Sequence, residues 1–182
     1  MKNAPFWIID AFVGDAFGRQ LRGNPAAVVL LDEFALDEEL RERANEFNLS
    51  ETAFVVPRGD LNFDLRWMTP LTEVDLCGHA TLASTSALLD AGQLSIGQTA
   101  RFHTQSGVLK ALVRSEESVE LDFPVQPVES CEMPDELAQA FSWEEEKSGR
   151  HFQKLFPCFR AADDWLVVVH EAILQQDRKS VV

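Results

Sequence analysis

The chain has 182 residues, 46% apolar and 25% charged, enough for one ordinary domain or two small ones and too apolar for a disordered chain. Its 30 acidic and 16 basic side chains leave a net charge of -14, a field that repels a phosphate backbone and argues against nucleic acid as a partner. The cysteines, Cys77, Cys131 and Cys158, are odd in number, form no CxxC and repeat no spacing, which argues against a disulfide framework or a structural zinc site.

The acidic side chains cluster in 32–42, 115–120 and 134–146, runs that read as solvated helix faces and turns. The N-terminus MKNAPFWIIDAF lacks the long apolar core of a signal peptide, and no stretch approaches the ~18 apolar residues of a membrane span. The expectation is a cytoplasmic protein without a membrane partner.

In chain order, Phe6 to Val13 reads as a strand ended by Gly14-Asp15, and Arg22-Gly23-Asn24-Pro25 as a turn. Ala26 to Leu31 is a continuous apolar run, short enough for a buried strand. Asp37 suits a helix N-cap, with Glu38 and Glu39 in the first turn complementing the dipole. Leu36, Leu40, Ala44 and Phe47 recur at helical spacing, and Asn48 suits the left-handed C-terminal position. Glu51 opens a strand over Thr52 to Val56, closed by Pro57-Arg58-Gly59-Asp60, and Phe63 to Met68 alternates apolar with polar.

The next helix, Gly78 to Ala91, has no charge before Asp90 and mostly Ala, Ser, Thr and Leu on every face, which predicts burial all round, with Gly92 as its cap. Strands follow over Ala100 to Thr104, Gly107 to Arg114 and Ser118 to Phe123. Many short strands about one buried helix predict an α+β fold, a curled antiparallel sheet wrapped on that helix. The expected division is an N-terminal domain of this kind over 1–123, a proline-rich linker over 124–134 and an incomplete second domain over 135–182. That last part holds a short helix (Asp135 to Phe141) and a strand (Trp165 to Val169).

Two points carry chemistry. Glu51 stands between apolar helix and apolar strand, where burial of its carboxylate would raise the pKa into a range useful for moving protons. The bland alternative is an exposed strand-entry glutamate. Gly78 and His79 open a helix whose free N–H groups and dipole can hold a carboxylate, with glycine allowing close approach; a satisfied histidine at a domain edge is the alternative. Cys77, at the same helix start, is either an activated thiol or a small buried hydrophobe. Asp75 and Glu73 precede the helix and are candidates to pair with Glu51 as a carboxylate couple. The histidines follow no metal-binding spacing, and there is no GxGxxG, P-loop or GxSxG motif.

The blocks GNPAAVVLL (23–31), NLSETAFVV (48–56), RWMTPLTEVDLCGHATLAS (66–84) and HTQSGVLKALV (103–113) together resemble the PhzF-like family of phenazine-biosynthesis proteins, which shares the diaminopimelate-epimerase fold. The resemblance covers about residues 5–123, and 159–169 as the opening of a second half. It implies two similar half-barrels with the active site in the cleft between them. It also implies a proton shuttle at Glu51, substrate binding by Gly78 and His79, and cofactor-free isomerisation of a small carboxylate such as dihydro-3-hydroxyanthranilate. The EDPVTGSA-like segment that family members supply from the second half is missing here, so the second half is expected to be partial. The cleft is then either completed by another subunit, with a homodimer expected, or lost, leaving a non-catalytic carboxylate-binding remnant. A thiol-based amino-acid racemase using Cys77 is a further reading, since the epimerases of this fold place a thiol at a CG motif.

Overall fold

The structure is a computed structural model that describes residues 4–16, 19–125, 127–135, 158–161 and 164–167. The chain divides into two compact units, Met1–Pro124 and Val125–Val182.

The first unit opens with two long antiparallel strands, β1 (Phe6–Ala16) and β2 (Arg19–Leu30), in register from Phe6 opposite Val29 to Ala16 opposite Arg19. The expected stop at Gly14-Asp15 and the expected turn at Arg22 to Pro25 both lie inside this ribbon. What looks like a chain reversal is a local kink: Phe12 and Gly23, facing each other between paired neighbours, both take left-handed φ, 61° and 80°. Pro25 is tolerated because β2 joins its other neighbour only from Ala27 onward, so no ladder bond needs its missing N–H.

Helix α1 (Asp37–Phe47) starts one residue earlier than expected, with extended Leu36 as its N-cap and no side-chain cap. Asp37 is therefore the first helical residue, and with Glu38 and Glu39 it places three carboxylates at the positive end of the dipole. Leu40 and Ala44 are fully buried, whereas Leu36 is 73% exposed and leaves the stripe. Asn48 ends the helix left-handed at φ 51°, its N–H bonded to the Ala44 carbonyl at 3.1 Å.

The rest of the sheet comprises β3 (Thr52–Gly59), β4 (Asn62–Met68), β5 (Glu73–Val74), β6 (Thr99–Thr104), β7 (Gly107–Ser115) and β8 (Ser118–Asp122). Asp60 and Leu61, both at positive φ, make the two-residue reversal between β3 and β4. The strand order is β1-β2-β3-β4-β6-β7-β8, with β5 on the free part of β4. This corrects the antiparallel expectation. The sheet is mixed, because β2 runs parallel to β3 and β4 parallel to β6. A parallel pair needs a crossover, and each crossover contains one helix: α1 between β2 and β3, α2 (Gly78–Asp90) between β4 and β6.

The crossovers leave β2, β3 and β4 with two buried faces. Val29, Phe54, Val56 and Met68 pack with Leu40 and Ala44 of α1, while Val28, Ala53, Val55, Leu65 and Trp67 pack with Ala80, Ala83, Ala87 and Leu88 of α2. The near-continuous apolar run Ala53 to Val56 is the signature of that double burial. Helix α2 touches β1, β2, β3, β7 and β8, so both ends of the sheet reach the same helix and the sheet curls round it as a half-barrel. The buried hydroxyls of Thr81, Ser84 and Thr85 donate to the carbonyls four residues back at 2.6, 2.7 and 2.9 Å, which removes the cost of burying them. Left-handed Gly92 closes the helix: its N–H bonds to Leu89 and that of Gln93 to Leu88.

In the second unit, β9 (Glu129–Cys131), β10 (Cys158–Ala161) and β11 (Asp164–Val167) form an antiparallel sheet in the order β11-β10-β9. β9 lies inside the stretch read as a linker, ordered by pairing that its composition does not advertise. The helix expected over Asp135 to Phe141 lies, beyond Asp135, outside the described residues, as do residues 168–169 of the last expected strand. Among the described residues no helix is long and apolar enough to cross a membrane.

Candidate active site

The alternation of β3 decides where Glu51 points. Ala53 and Val55 face α2, so Glu51, two residues upstream of Ala53, continues that face at the mouth of the strand. There it meets the start of α2. His79 Nε2 lies 3.3 Å from Glu51 Oε2, and the two side chains are 10% and 21% exposed. Ser50 Oγ stands 3.5 Å from the same nitrogen, and Cys77 Sγ lies 3.3 Å from the opposite one, Nδ1. The imidazole thus meets a thiol at one nitrogen and a carboxylate at the other, and the three groups form a compact cluster.

Burial pushes the Cys77 thiol up to about 11; the N–H groups of Ala80 and His79 pull it back only in part, and Glu51 adds to the rise. Those amides face the sulfur without closing a cap hydrogen bond. At neutral pH Cys77 is therefore S–H, a donor, and its natural acceptor is His79 Nδ1. With Nδ1 taken by the thiol, Nε2 is the ring nitrogen left to donate toward Glu51. The imidazole is held with Nε2 at the carboxylate end.

Ligand atoms of Glu51, Cys77 and His79 all lie within 4.8 Å of one another, close enough to share a small cation. The first N–H groups of α2 put positive potential at that spot and oppose one. The same potential suits an anion. Gly78 takes an ordinary helical backbone, and a Cβ there would meet only Phe123 Cε2 at 3.4 Å. Glycine at this position keeps the amide end open to a ligand and is not required by the backbone.

Hollows among the described residues include one of about 620 Å³ beside Leu31, Asp32 and Phe34, and one of about 1110 Å³ between the β1–β2 ribbon, α2 and β8. Neither is lined by Glu51, Cys77 or His79.

A family model described as phenazine biosynthesis-like protein, PhzC-PhzF, matches residues 9–175. The chain belongs to this family. An uncharacterised isomerase of Halalkalibacterium halodurans is 47% identical over 138 residues, 75% of this chain and 50% of that protein. An uncharacterised isomerase of Pseudomonas aeruginosa is 42% identical over 163 residues, 90% of this chain and 56% of that protein. Among solved structures, a PhzF-family phenazine biosynthesis protein of Enterococcus faecalis superposes with a TM-score of 0.69 at 35% identity, covering 92% of this chain and 57% of its own. The chain thus spans about half the length of the curated relatives it matches.

In this phenazine biosynthesis-like chain, Glu51, Cys77, Gly78 and His79 come together, and the other two candidates do not. Glu73 is not a partner for Glu51. Arg66 takes its carboxylate with two bonds, Nε to Oε1 at 2.8 Å and Nη2 to Oε2 at 2.5 Å, and also binds Asp37 at 2.9 Å while lying over the Phe34 ring. These carboxylates, Glu73 foremost, raise the Arg66 pKa further. Asp75 is exposed, and the contact at that residue is to its backbone carbonyl, from Ser106 Oγ at 2.7 Å. Sequence reasoning passed over Ser50 and Phe123. Ser50 had a signal in standing beside Glu51, whereas Phe123 reaches Gly78 only through the curl of the sheet.

Proposed function

We propose that this chain carries one wall of a cofactor-independent isomerase site that moves a proton on a small cyclic or amino carboxylate. Glu51 takes and returns the proton. The N–H end of α2 at Gly78 binds the substrate carboxylate, and His79 donates from Nε2 to polarise the substrate next to the carbon being deprotonated. The observation that carries the reading is the 3.3 Å approach of His79 Nε2 to Glu51 Oε2 at the mouth of a helix N-terminus. The names of the related isomerases support the reaction class. No step in this scheme calls for a metal or a cofactor.

The facing wall belongs, in this proposal, to further chain or to a second subunit. A homodimer is favoured by the apolar side chains that the β1–β2 ribbon exposes, Ile8, Phe12, Val13 and Leu21. We place the protein in the cytoplasm, where disulfides are transient and not structural. A thiol-based racemase is disfavoured, because a buried Cys77 near 11 is a poor nucleophile and a poor base at neutral pH.

The relation of chain to relatives supports one other reading, a carboxylate-binding protein without turnover. Solvent exchange separates the two. In D₂O with dihydro-3-hydroxyanthranilate and a panel of small cyclic and amino carboxylates, deuterium should enter a C–H position, and Glu51→Gln should slow that exchange by about 10²–10⁴-fold while carboxylate binding persists. Binding without exchange in the unsubstituted protein, weakened by Gly78→Val, would establish the binding reading instead.

A further inference from the structure

The second unit holds two thiols in a position that the proton-transfer chemistry does not use. β9 and β10 are antiparallel, with Cys131 directly opposite Cys158 in the ladder. Their sulfurs are 3.8 Å apart, in van der Waals contact. Cys158 is buried at 4% exposure and Cys131 is partly open to solvent. Residues directly opposed in an antiparallel ladder have Cα atoms about 4.5–5.5 Å apart, inside the span of roughly 4.4–6.8 Å that a disulfide bridges. Side-chain rotation can therefore bring the sulfurs to bonding distance while the strands stay in place. Cys77, by contrast, is engaged with His79 in the other unit.

We propose that Cys131 and Cys158 are an oxidisable dithiol that forms a reversible disulfide clasp between β9 and β10, with a small-molecule disulfide as oxidant. The more open Cys131 reacts first: its thiolate attacks one sulfur of the oxidant, whose other half leaves as a thiolate. The resulting mixed disulfide sits against Cys158. Cys158, on losing its proton to solvent, attacks Cys131 Sγ and expels the second half of the oxidant. Two protein thiols are oxidised, one small disulfide is reduced to two thiols, and the protons are returned to the leaving thiolates. The product closes the chain from Cys131 to Cys158 into a covalent loop and cross-links the two strands.

Partial burial and the neighbouring Cys158 thiol hold the Cys131 thiol above its ordinary value, with the Arg160 guanidinium opposing them. Thiolate is then scarce near neutrality, and oxidation should quicken by about tenfold per pH unit below that value.

The test uses the full chain under native conditions with oxidised glutathione, quenched in acid. Titratable thiols should fall from three to one, with no glutathione retained. A non-reducing digest should contain one peptide pair joining Cys131 to Cys158, which separates on reduction. Cys77→Ser should lose the same pair of thiols, and Cys158→Ser should stop at a stable glutathione adduct on Cys131. Three thiols persisting at alkaline pH would overturn the proposal. So would an adduct lasting on Cys131 of the unsubstituted chain, or a cross-link that includes Cys77. If Cys158→Ser fails to fold, the digest of the unsubstituted chain still decides.

Discussion

Thr52 and Cys77 flank the Glu51–His79 contact from two different elements, and each can be interrogated alone. Thr52 is fully buried, and its Oγ1 has no hydrogen-bond partner among the described residues. A buried hydroxyl without a partner costs more than the methyl that would replace it. Thr52→Val keeps the β-branched shape and should raise stability by about 1 kcal/mol in denaturant unfolding; a loss of stability would mean the hydroxyl does have a partner. Cys77, raised from 9.0 to about 11, is favoured in its neutral form by the fold. The sign follows directly: the stability this contributes is present below 9.0 and is lost as pH rises through about 11. Its alkylation by iodoacetamide, followed by peptide mapping, should be about a hundredfold slower at pH 8 than that of an ordinary thiol and should climb toward pH 11. Fast labelling at neutral pH would reopen the thiol-racemase reading.

Among the elements, the β1–β2 ribbon is where local signals mislead most. Gly23 reads as part of a turn because glycine beside asparagine and proline usually marks one. Here the glycine serves a kink within paired strands. A Cβ on Gly23 would lie 2.5 Å from the Ala11 carbonyl oxygen, at φ +80°. Gly23→Ala should cost roughly 1–3 kcal/mol from backbone strain, plus the overlap with Ala11. Gly59, at φ +85° but with open space around its Cβ position, supplies the comparison. Gly59→Ala should cost clearly less than Gly23→Ala, and equal losses would remove the steric part of the account. The α1 start errs in a milder way. Asp37 and Leu36 exchange their expected places because the chain enters the helix with Leu36 extended and its side chain in solvent.

For the whole molecule, the half-barrel keeps an open seam. Ile9, Phe12, Val13 and Leu21 of the ribbon and Leu82 of α2 line the hollow of about 1110 Å³ against the turn into β8. Apolar surface of this kind drives association. Light scattering at micromolar concentration should report a homodimer, and a monodisperse monomer would count against the proposed second subunit.

What the sequence by itself determined is what depends on near neighbours. The small-residue helix over Gly78–Asp90, its closure at Gly92, the left-handed Asn48, and the strand ahead of Pro57 were all legible from spacing and residue type. Glu51 and His79 stood out for the same reason, as polar groups set in apolar surroundings or at a helix start. Tertiary structure alone decided which of these groups meet. The parallel joins of β2 to β3 and β4 to β6, the capture of Glu73 by Arg66, the contact of Glu51 with His79, and the pairing of Cys131 with Cys158 all join residues distant in the chain. Periodicity and propensity report how a segment divides between core and solvent. Which segments become neighbours is set by the joint burial of both faces of the sheet, a property of the assembled fold that no single stretch carries.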